Sequence, residues 1–249
     1  MSDESRLLIA ICTYNEIHNL PSLYESLREN FTRATLLVVD DRSPDGTGDW
    51  CDRTAEVDPL FRVLHRKEKS GLGSATLAAF EYGIEKDFDF VLTMDGDWSH
   101  HPAEARDVFD SLLHDPDCQL SIGSRYIRGG KIEGWPFKRH LMSFCINTYA
   151  RWMIGLKTAD CSGAFRCYRT SFLRQVDFAR IQGMGYAYLE EILWWARCLQ
   201  ARITETPITF TNRTAGQSKI NYKEAIRAVW IIFCIGLQRI LRLKTPRPS

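Results

Sequence analysis

"FVLTMDGDWSHHP", Phe90 to Pro102, runs apolar for five residues and then turns polar, with Asp95 and Asp97 one glycine apart and a proline five residues later. A short apolar run closed by turn residues reads as a buried strand, and Pro102 suits the first turn of a helix. The stretch is therefore a strand, a loop carrying two carboxylates, and a helix. The same grammar recurs upstream and downstream. Leu7–Ile11, Thr35–Val39, Phe61–Leu64 and Leu120–Ile122 read as further strands, and Leu23–Arg28, Ala75–Ile84 and Ala103–Leu113 as helices. Alternating strands and helices predict an α/β fold, a mostly parallel central sheet flanked by helices. Ligands of such sheets bind beyond the carboxyl ends of the strands. The acidic residues collect there: Glu16 after the first strand, Asp40 and Asp41 at the end of the second, Asp95 and Asp97 at the end of the fourth.

The 249 residues, 45% of them hydrophobic, suffice for one large α/β domain. With 32 basic and 31 acidic side chains the formal net charge is +1, so there is no overall field for a polyanion and no nucleic acid partner is expected. Eight cysteines at 12, 51, 118, 145, 161, 167, 198 and 234 form no CxxC pair and read as scattered thiols of a reducing, cytoplasmic setting. Met1 to Arg6 is polar and leads straight into a strand, without the pattern of a signal peptide.

After Arg125 the character changes. "WPFKRHLMSFCINTYARWMIGL" (Trp135–Leu156) and "IRAVWIIFCIGLQRILRL" (Ile226–Leu243) are rich in Trp, Phe, Ile and Met with basic flanks. The longest apolar run in the second, Ala228–Leu237, is about half of what a bilayer span demands. Amphipathic helices lying in a membrane interface, with Arg227, Arg239, Arg242 and Lys244 toward the headgroups, fit this pattern, as does packing on the protein's own core.

Two carboxylates around one glycine can share a hard divalent cation while leaving positions for phosphate oxygens. Mg2+ or Mn2+ on a nucleoside diphosphate suits such a pair, expected on an exposed loop. A glycosidase-type acid pair is the weaker reading, because neighbours on one turn are poorly placed to flank a sugar ring. "SGLGS" (Ser70–Ser74) lacks the last glycine of a dinucleotide fingerprint and follows the third strand, which argues against NAD.

Taken in order, "CTYNE", "VVDDRSPDGT", "KEKSGLGSA", "DGDWSHHP", "GSRYIRGGKIEGWP", "DCSGAFRCY" and "GQSK" resemble the family 2 glycosyltransferases of the nucleotide-diphospho-sugar transferase (GT-A) fold, and more narrowly the polyprenol or dolichol phosphate mannose synthases. The likeness covers Leu7 to Tyr222. It implies a single domain over residues 1–222 with an interfacial segment around 135–156, and a C-terminal amphipathic helix and tail over 223–249. It implies that Tyr14 and Glu16 line the guanine and ribose side of a donor site, that Val39 and Asp41 close it, and that Cys12 lines it where relatives carry proline. Asp95 and Asp97 would hold Mg2+ or Mn2+, with Gly96 permitting close approach of the donor. Ser99 sits where some members place a further ligand. Arg125, Arg213 and Lys219 match phosphate-holding positions, a task suited to arginine's planar fork. "RTAGQSK" (Arg213–Lys219) reads as a loop able to close over donor.

The implied reaction is inverting transfer of mannose from GDP-mannose to the phosphate of a membrane polyprenol, dolichyl or undecaprenyl. The enzyme would sit peripherally at the cytoplasmic face of a membrane, with room for a separate membrane subunit. A phosphate nucleophile needs no strong base, so His100 and His101 read as loop or structural residues, and Glu190 and Glu191 as helix surface charge. Rival readings keep the fold with a UDP-sugar (glucosyl or N-acetylglucosaminyl transfer) or a soluble hydroxyl acceptor. Others make the chain a silent sugar-nucleotide-binding scaffold, or a nucleotidyltransferase, for which "CTYNEIHN" lacks the glycines.

Overall fold

Residues 4–212 and 222–241 are described in the computed structural model. The strands are β1 (Leu7–Thr13), β2 (Thr35–Asp40), β3 (Phe61–His65), β4 (Phe90–Asp95), β5 (Cys118–Ser124), β6 (Lys131–Glu133), β7 (Arg166–Arg169), β8 (Arg202–Pro207) and β9 (Thr209–Thr211). The α-helices are α1 (Leu20–Asn30), α2 (Thr47–Val57), α3 (Leu72–Glu85), α4 (Pro102–Leu113), α5 (Phe137–Ala150), α6 (Thr170–Leu173), α7 (Tyr188–Cys198) and α8 (Tyr222–Ile240). Seven strands form one sheet in the order β3-β2-β1-β4-β7-β5-β8, and β6 pairs with β9 beside it. All pairs are parallel except those of β7, which runs against both β4 and β5. The α/β architecture read from the sequence is the one found.

Period two sorts β1 between the two faces. Leu8 and Ala10 enter a core with α3, α7 and α8, whereas Leu7, Ile9 and Ile11 enter a second core with α1 and α4. Every residue of β2 is buried, as a strand covered on both faces requires. Chain order reverses between β1 and β4, with β2 and β3 on one side and later strands on the other. That switch point opens a crevice at the carboxyl ends. Cys12 lies opposite Val39 on one side and Asp95 on the other, so the predicted site residues meet at this crevice.

Against α3, the loop at 183–185 approaches so closely that a Cβ on Gly73 would meet the Gly183 carbonyl oxygen at 2.3 Å. Gly73 N–H donates to Gly185 O (3.0 Å) and Ser74 N–H to Met184 O (3.2 Å). These first-turn amides of α3 are occupied by protein carbonyls. All eight cysteines are free thiols.

Candidate active site

Asp95 is the last residue of β4, and Asp97 follows on the turn. Asp97 is not exposed as expected of a loop carboxylate: it retains 4% of its accessible surface, on a turn that passes through Trp98 at a φ of +63°. Its Oδ1 accepts the Ser99 N–H (3.1 Å). The Asp95 side chain is 28% accessible. A Cβ on Gly96 would come within 3.2 Å of Ile11 Cγ2, so the turn lies close against β1. The Ser99 hydroxyl is buried with no hydrogen-bond partner among the described residues. Two carboxylates and an orphaned hydroxyl are an all-oxygen donor set that fits a hard divalent cation completed by ligand oxygens. Among the described residues no three His, Cys, Asp or Glu side chains gather into a cation site of their own.

His100 lies under this turn, fully buried, its ring stacked on Phe165 (centroids 4.6 Å apart, 17° between planes) and edge-on to Phe210. Burial pushes its pKa down to about 4, against the pull of Asp97. The ring is therefore neutral at neutral pH, and its 3.9 Å approach to Asp95 Oδ2 is no ion pair. Nδ1 instead accepts the Asp95 backbone N–H (3.1 Å). His101 caps α4 by accepting the Ala103 N–H (3.2 Å). Both histidines have the structural placement read from the sequence.

On the β1–β2 side, Tyr14 lies with the Lys69 ammonium 3.8 Å from its ring centroid. Glu16 is buried, accepting from Asn19 Nδ2 (2.9 Å) while its N–H donates to Thr47 Oγ1 (3.1 Å). Cys12 Sγ lies 3.6 Å from Thr76 Oγ1, and burial pushes its thiol up to about 12, so it lines the crevice as a neutral group. Asp41 pairs with Arg66 (2.7 Å), which also donates to Ser74 Oγ; burial nonetheless raises the Asp41 carboxyl above its ordinary value. Asp40 turns inward, accepting from Thr13 and Ser43.

Arg125 follows β5. Its Nε and Nη2 each lie 2.7 Å from an Asp160 oxygen, its backbone N–H donates to Asp160 Oδ2 (3.1 Å), and Nη2 reaches Ser162 Oγ (3.0 Å). Burial alone would raise the Asp160 carboxyl; the adjoining Arg125 guanidinium reverses this and holds it below the usual range. One edge of the Arg125 fork is thus taken by protein. The Asp160 loop is itself held by Glu205, which accepts the Ala159 and Asp160 N–H groups, and by Asn147 Oδ1, which accepts those of Cys161 and Ser162. Arg139 stands 4.0 Å from the Trp135 ring and Arg125 5.5 Å from the same ring. Trp135 contacts Phe210, and its indole N–H is buried without a partner among the described residues. Two guanidinium groups thus share one aromatic platform beside the carboxylate turn.

Arg213 and Lys219 lie outside the described residues. Arg66, Lys69, Arg139 and Asp160 were not singled out in the sequence reading. They lie in "KEKSGLGSA" and its neighbour Arg66, in the basic flank of the interfacial segment and in "DCSGAFRCY", and only the fold brings them to the crevice. Glu190 and Glu191 are not surface charge: both are buried at the start of α7. Glu191 accepts the Gln182 and Gly183 N–H groups. Burial pushes the Glu190 carboxyl up to about 8.

With this geometry in view, the match to known proteins is decisive for family. Residues 8–177 match the model of glycosyl transferase family 2. The chain belongs to that family. It is 41% identical over 216 residues to an undecaprenyl-phosphate mannosyltransferase of Micrococcus luteus, covering 87% of this chain and 88% of that one. It is 38% identical over 225 residues to a polyprenol monophosphomannose synthase of Mycolicibacterium smegmatis, covering 89% and 84%. Among solved structures, the glucosyl-3-phosphoglycerate synthase of Mycobacterium tuberculosis, in complex with Mn2+, UDP and phosphoglyceric acid, superposes with a TM-score of 0.66 at 16% identity, over 94% of this chain and 78% of that one. A mannosyltransferase of Pyrobaculum calidifontis in complex with GDP-Man and Mn2+ gives 0.61 at 14% identity, over 97% and 65%. These likenesses establish the GT-A type of fold for this family 2 glycosyltransferase.

Proposed function

We propose that this glycosyltransferase moves mannose from GDP-mannose to the phosphate of a membrane polyprenol, with inversion at the anomeric carbon. The observation that carries the reading is that Phe210 joins the two halves of the site: it packs on His100, which accepts the Asp95 N–H, and on Trp135 and Arg125 of the guanidinium platform. One part suits a metal-bound diphosphate and the other an anionic acceptor. The activities named for the two curated relatives support the same donor sugar and acceptor class.

Asp95 and Asp97, with Ser99 beside them, would hold Mg2+ or Mn2+, which when bound supplies Lewis-acid stabilisation of the leaving diphosphate. Tyr14, Glu16, Val39, Asp41 and the Cys12 backbone would line the nucleoside, and Gly96 would allow the diphosphate close to the turn. Arg213 and Lys219 would close over the phosphates. Arg125 and Arg139 orient the acceptor through the guanidinium edges away from Asp160 and Trp135. A phosphate oxygen forms its bond to the anomeric carbon as the bond to the diphosphate oxygen breaks, and GDP leaves with that electron pair. No proton moves, because a phosphate monoester with a second pKa of about 6 is already ionised at neutral pH. Catalysis then rests on positioning and charge.

The acceptor is membrane-bound, and the surface beyond the platform fits a bilayer interface. Phe137 is 79% accessible, Trp152 71% and Trp230 63%, and Ile226, Phe233, Leu237 and Ile240 continue one stripe of α8. The opposite stripe of α8, Ile231, Ile232 and Ile235, is buried in the core. A helix apolar on both sides has a second apolar medium to meet. No helix of the described residues is long and apolar enough to cross a membrane; the exposed apolar stripe supports our reading of peripheral attachment, at the cytoplasmic face and alone or with a membrane subunit. Two of the arginines expected at the headgroups also reach backbone carbonyls of the protein. Arg239 donates to the Trp152 and Met153 carbonyls and Arg227 to that of Gln182, tying α8 down; Arg242 and Lys244 lie outside the described residues. Trp135 belongs to the guanidinium platform and not to this surface.

The test is transfer of labelled mannose from GDP-mannose to undecaprenyl or dolichyl phosphate in detergent, with Mn2+ or Mg2+ and with excess EDTA. Metal-dependent mannosyl lipid is the expected product. Product from a UDP-sugar alone would refute the donor.

A further inference from the structure

The Asp95 amide is the hinge between a rigid strand and the turn that carries the carboxylate pair. Up to Met94 the strand is fixed by its ladder with β1 and by burial on both faces. Beyond Asp95 the chain turns through a left-handed residue, Trp98, and rejoins regular structure only at Pro102. Two hydrogen bonds shape the turn from within: Asp97 Oδ1 accepts the Ser99 N–H, and His100 Nδ1 accepts the Asp95 N–H. The second is a long-armed contact. It comes from a side chain clamped between Phe165 and Phe210, residues of other parts of the fold, whereas the first is internal to the turn.

A backbone amide held by a fixed acceptor fixes the peptide plane on either side of it, and with it the direction in which the Asp95 side chain leaves the chain. A ring clamped by two aromatics makes such an acceptor, and it adds no charge next to the carboxylates.

We propose that His100 is the positioning residue of the carboxylate turn: its Nδ1, acting as an acceptor for the Asp95 N–H, orients Asp95 for cation binding, and the aromatic clamp serves to place that nitrogen. The inference rests on reading Asp95 and Asp97 as the cation-holding pair. Outer groups that orient metal ligands in this manner are worth about 10–100-fold in affinity or activity.

Two substitutions separate the acceptor from the packing. His100→Phe keeps an aromatic ring on Phe165 and removes the acceptor. His100→Asn removes the ring and sets its amide oxygen near the place of Nδ1. The first readout needs no metal: hydrogen exchange of the Asp95 amide in the unliganded protein, read by NMR or residue-resolved mass spectrometry. His100→Phe is expected to speed that exchange about tenfold, the size of one hydrogen bond lost, and His100→Asn to hold it near the wild-type rate. The second readout is Mn2+ affinity in the presence of GDP, by the electron paramagnetic resonance of free Mn2+. His100→Phe should weaken it about tenfold or more, with rescue by Asn.

Unchanged exchange and unchanged Mn2+ affinity in His100→Phe would overturn the proposal. So would the reverse ranking, with Asn impaired and Phe normal, which is what a purely packing role predicts. Should His100→Asn fail to fold, His100→Phe decides alone, and an Asp95 amide that exchanges at the wild-type rate in that variant would overturn the acceptor role. A wild type that binds no Mn2+ would refute the reading of the carboxylate pair, while the exchange measurement would still decide what His100 does to the turn.

Discussion

Glu190 offers a prediction whose sign can be worked out. Its carboxyl is buried at the start of α7, one oxygen has no hydrogen-bond partner among the described residues, and burial outweighs the attraction of Arg166 to push the pKa from 4.5 up to about 8. Arg166 faces it from β7, with Asp160 and the neighbouring Glu191 adding like charge. A carboxyl raised in the folded state contributes stability that is whole below the unfolded pKa and lost as pH rises toward the folded one. The difference of about 3.5 units corresponds to about 5 kcal/mol, accumulating at about 1.4 kcal/mol per pH unit between pH 4.5 and 8. Glu190→Gln removes the titration. The amide brings a pH-independent penalty of about 1–3 kcal/mol for a buried donor without a partner. The quantity to measure is therefore the slope, not the offset. Thermal melts of both proteins at intervals from about pH 5 to 8.5 should show the Tm of the variant rising relative to wild type as pH increases. At about 2–4 °C per kcal/mol for a chain of this size, the relative gain should reach about ten degrees. A Tm difference independent of pH would refute the burial argument. That flat profile is also what Glu190 ionised as the counterion of Arg166 would give, because such a carboxylate binds no proton in either state above about pH 5.

Three further outcomes follow from the site. Asp97→Asn preserves the acceptor for the Ser99 N–H, so melting should change little while transfer falls by about a thousandfold or more; turnover within tenfold of wild type would remove the pair from catalysis. Arg125→Lys keeps the charge but loses the two-pronged pairing with buried Asp160, and should destabilise by about 3 kcal/mol and depress kcat; urea melts that match wild type would refute the pairing's structural weight. Trp152→Glu should lower retention on anionic liposomes several-fold with KM for GDP-mannose unchanged, and equal retention would take Trp152 out of the membrane surface.

The strands that shape the crevice were legible because each is a short apolar run ending in turn residues, and β1 to β5 fall where those runs lie, extended by one to four residues. Helix α2 was not drawn. It buries only Thr47, Cys51 and Thr54, a stripe with too little hydrophobicity to show a period. Nor was β7, four residues with arginine at both ends, whose place between β4 and β5 depends on partners distant in sequence. The burial of Glu190 and Glu191 runs against the rule that unpaired acids stay outside. A signal was present: "YLEEILWWA" is apolar on every side of a helix except at those two residues, and a helix apolar all round is a buried one. The Arg125–Asp160 pairing had no such signal, since 35 residues separate the partners.

The strand ends carry more carboxylates than a cation site needs, and the structure sorts them by what they accept. Asp160, Glu191 and Glu205 take backbone N–H groups of neighbouring loops, Asp40 takes Ser43 and Thr13, and Asp41 takes Arg66. Each such bond stabilises a negative charge where it stands and fixes a loop of the crevice wall. The Asp95–Asp97 turn is braced differently. Its wall-side support is an imidazole that burial keeps neutral, and it engages a backbone amide, not a carboxylate. An arginine or lysine there would form an ion pair and cancel the charge on which the proposed binding of a divalent ion and its diphosphate rests. A neutral brace orders the turn and leaves its negative field in place, so the histidine following the carboxylates would suit the proposed cation site without being one of its ligands.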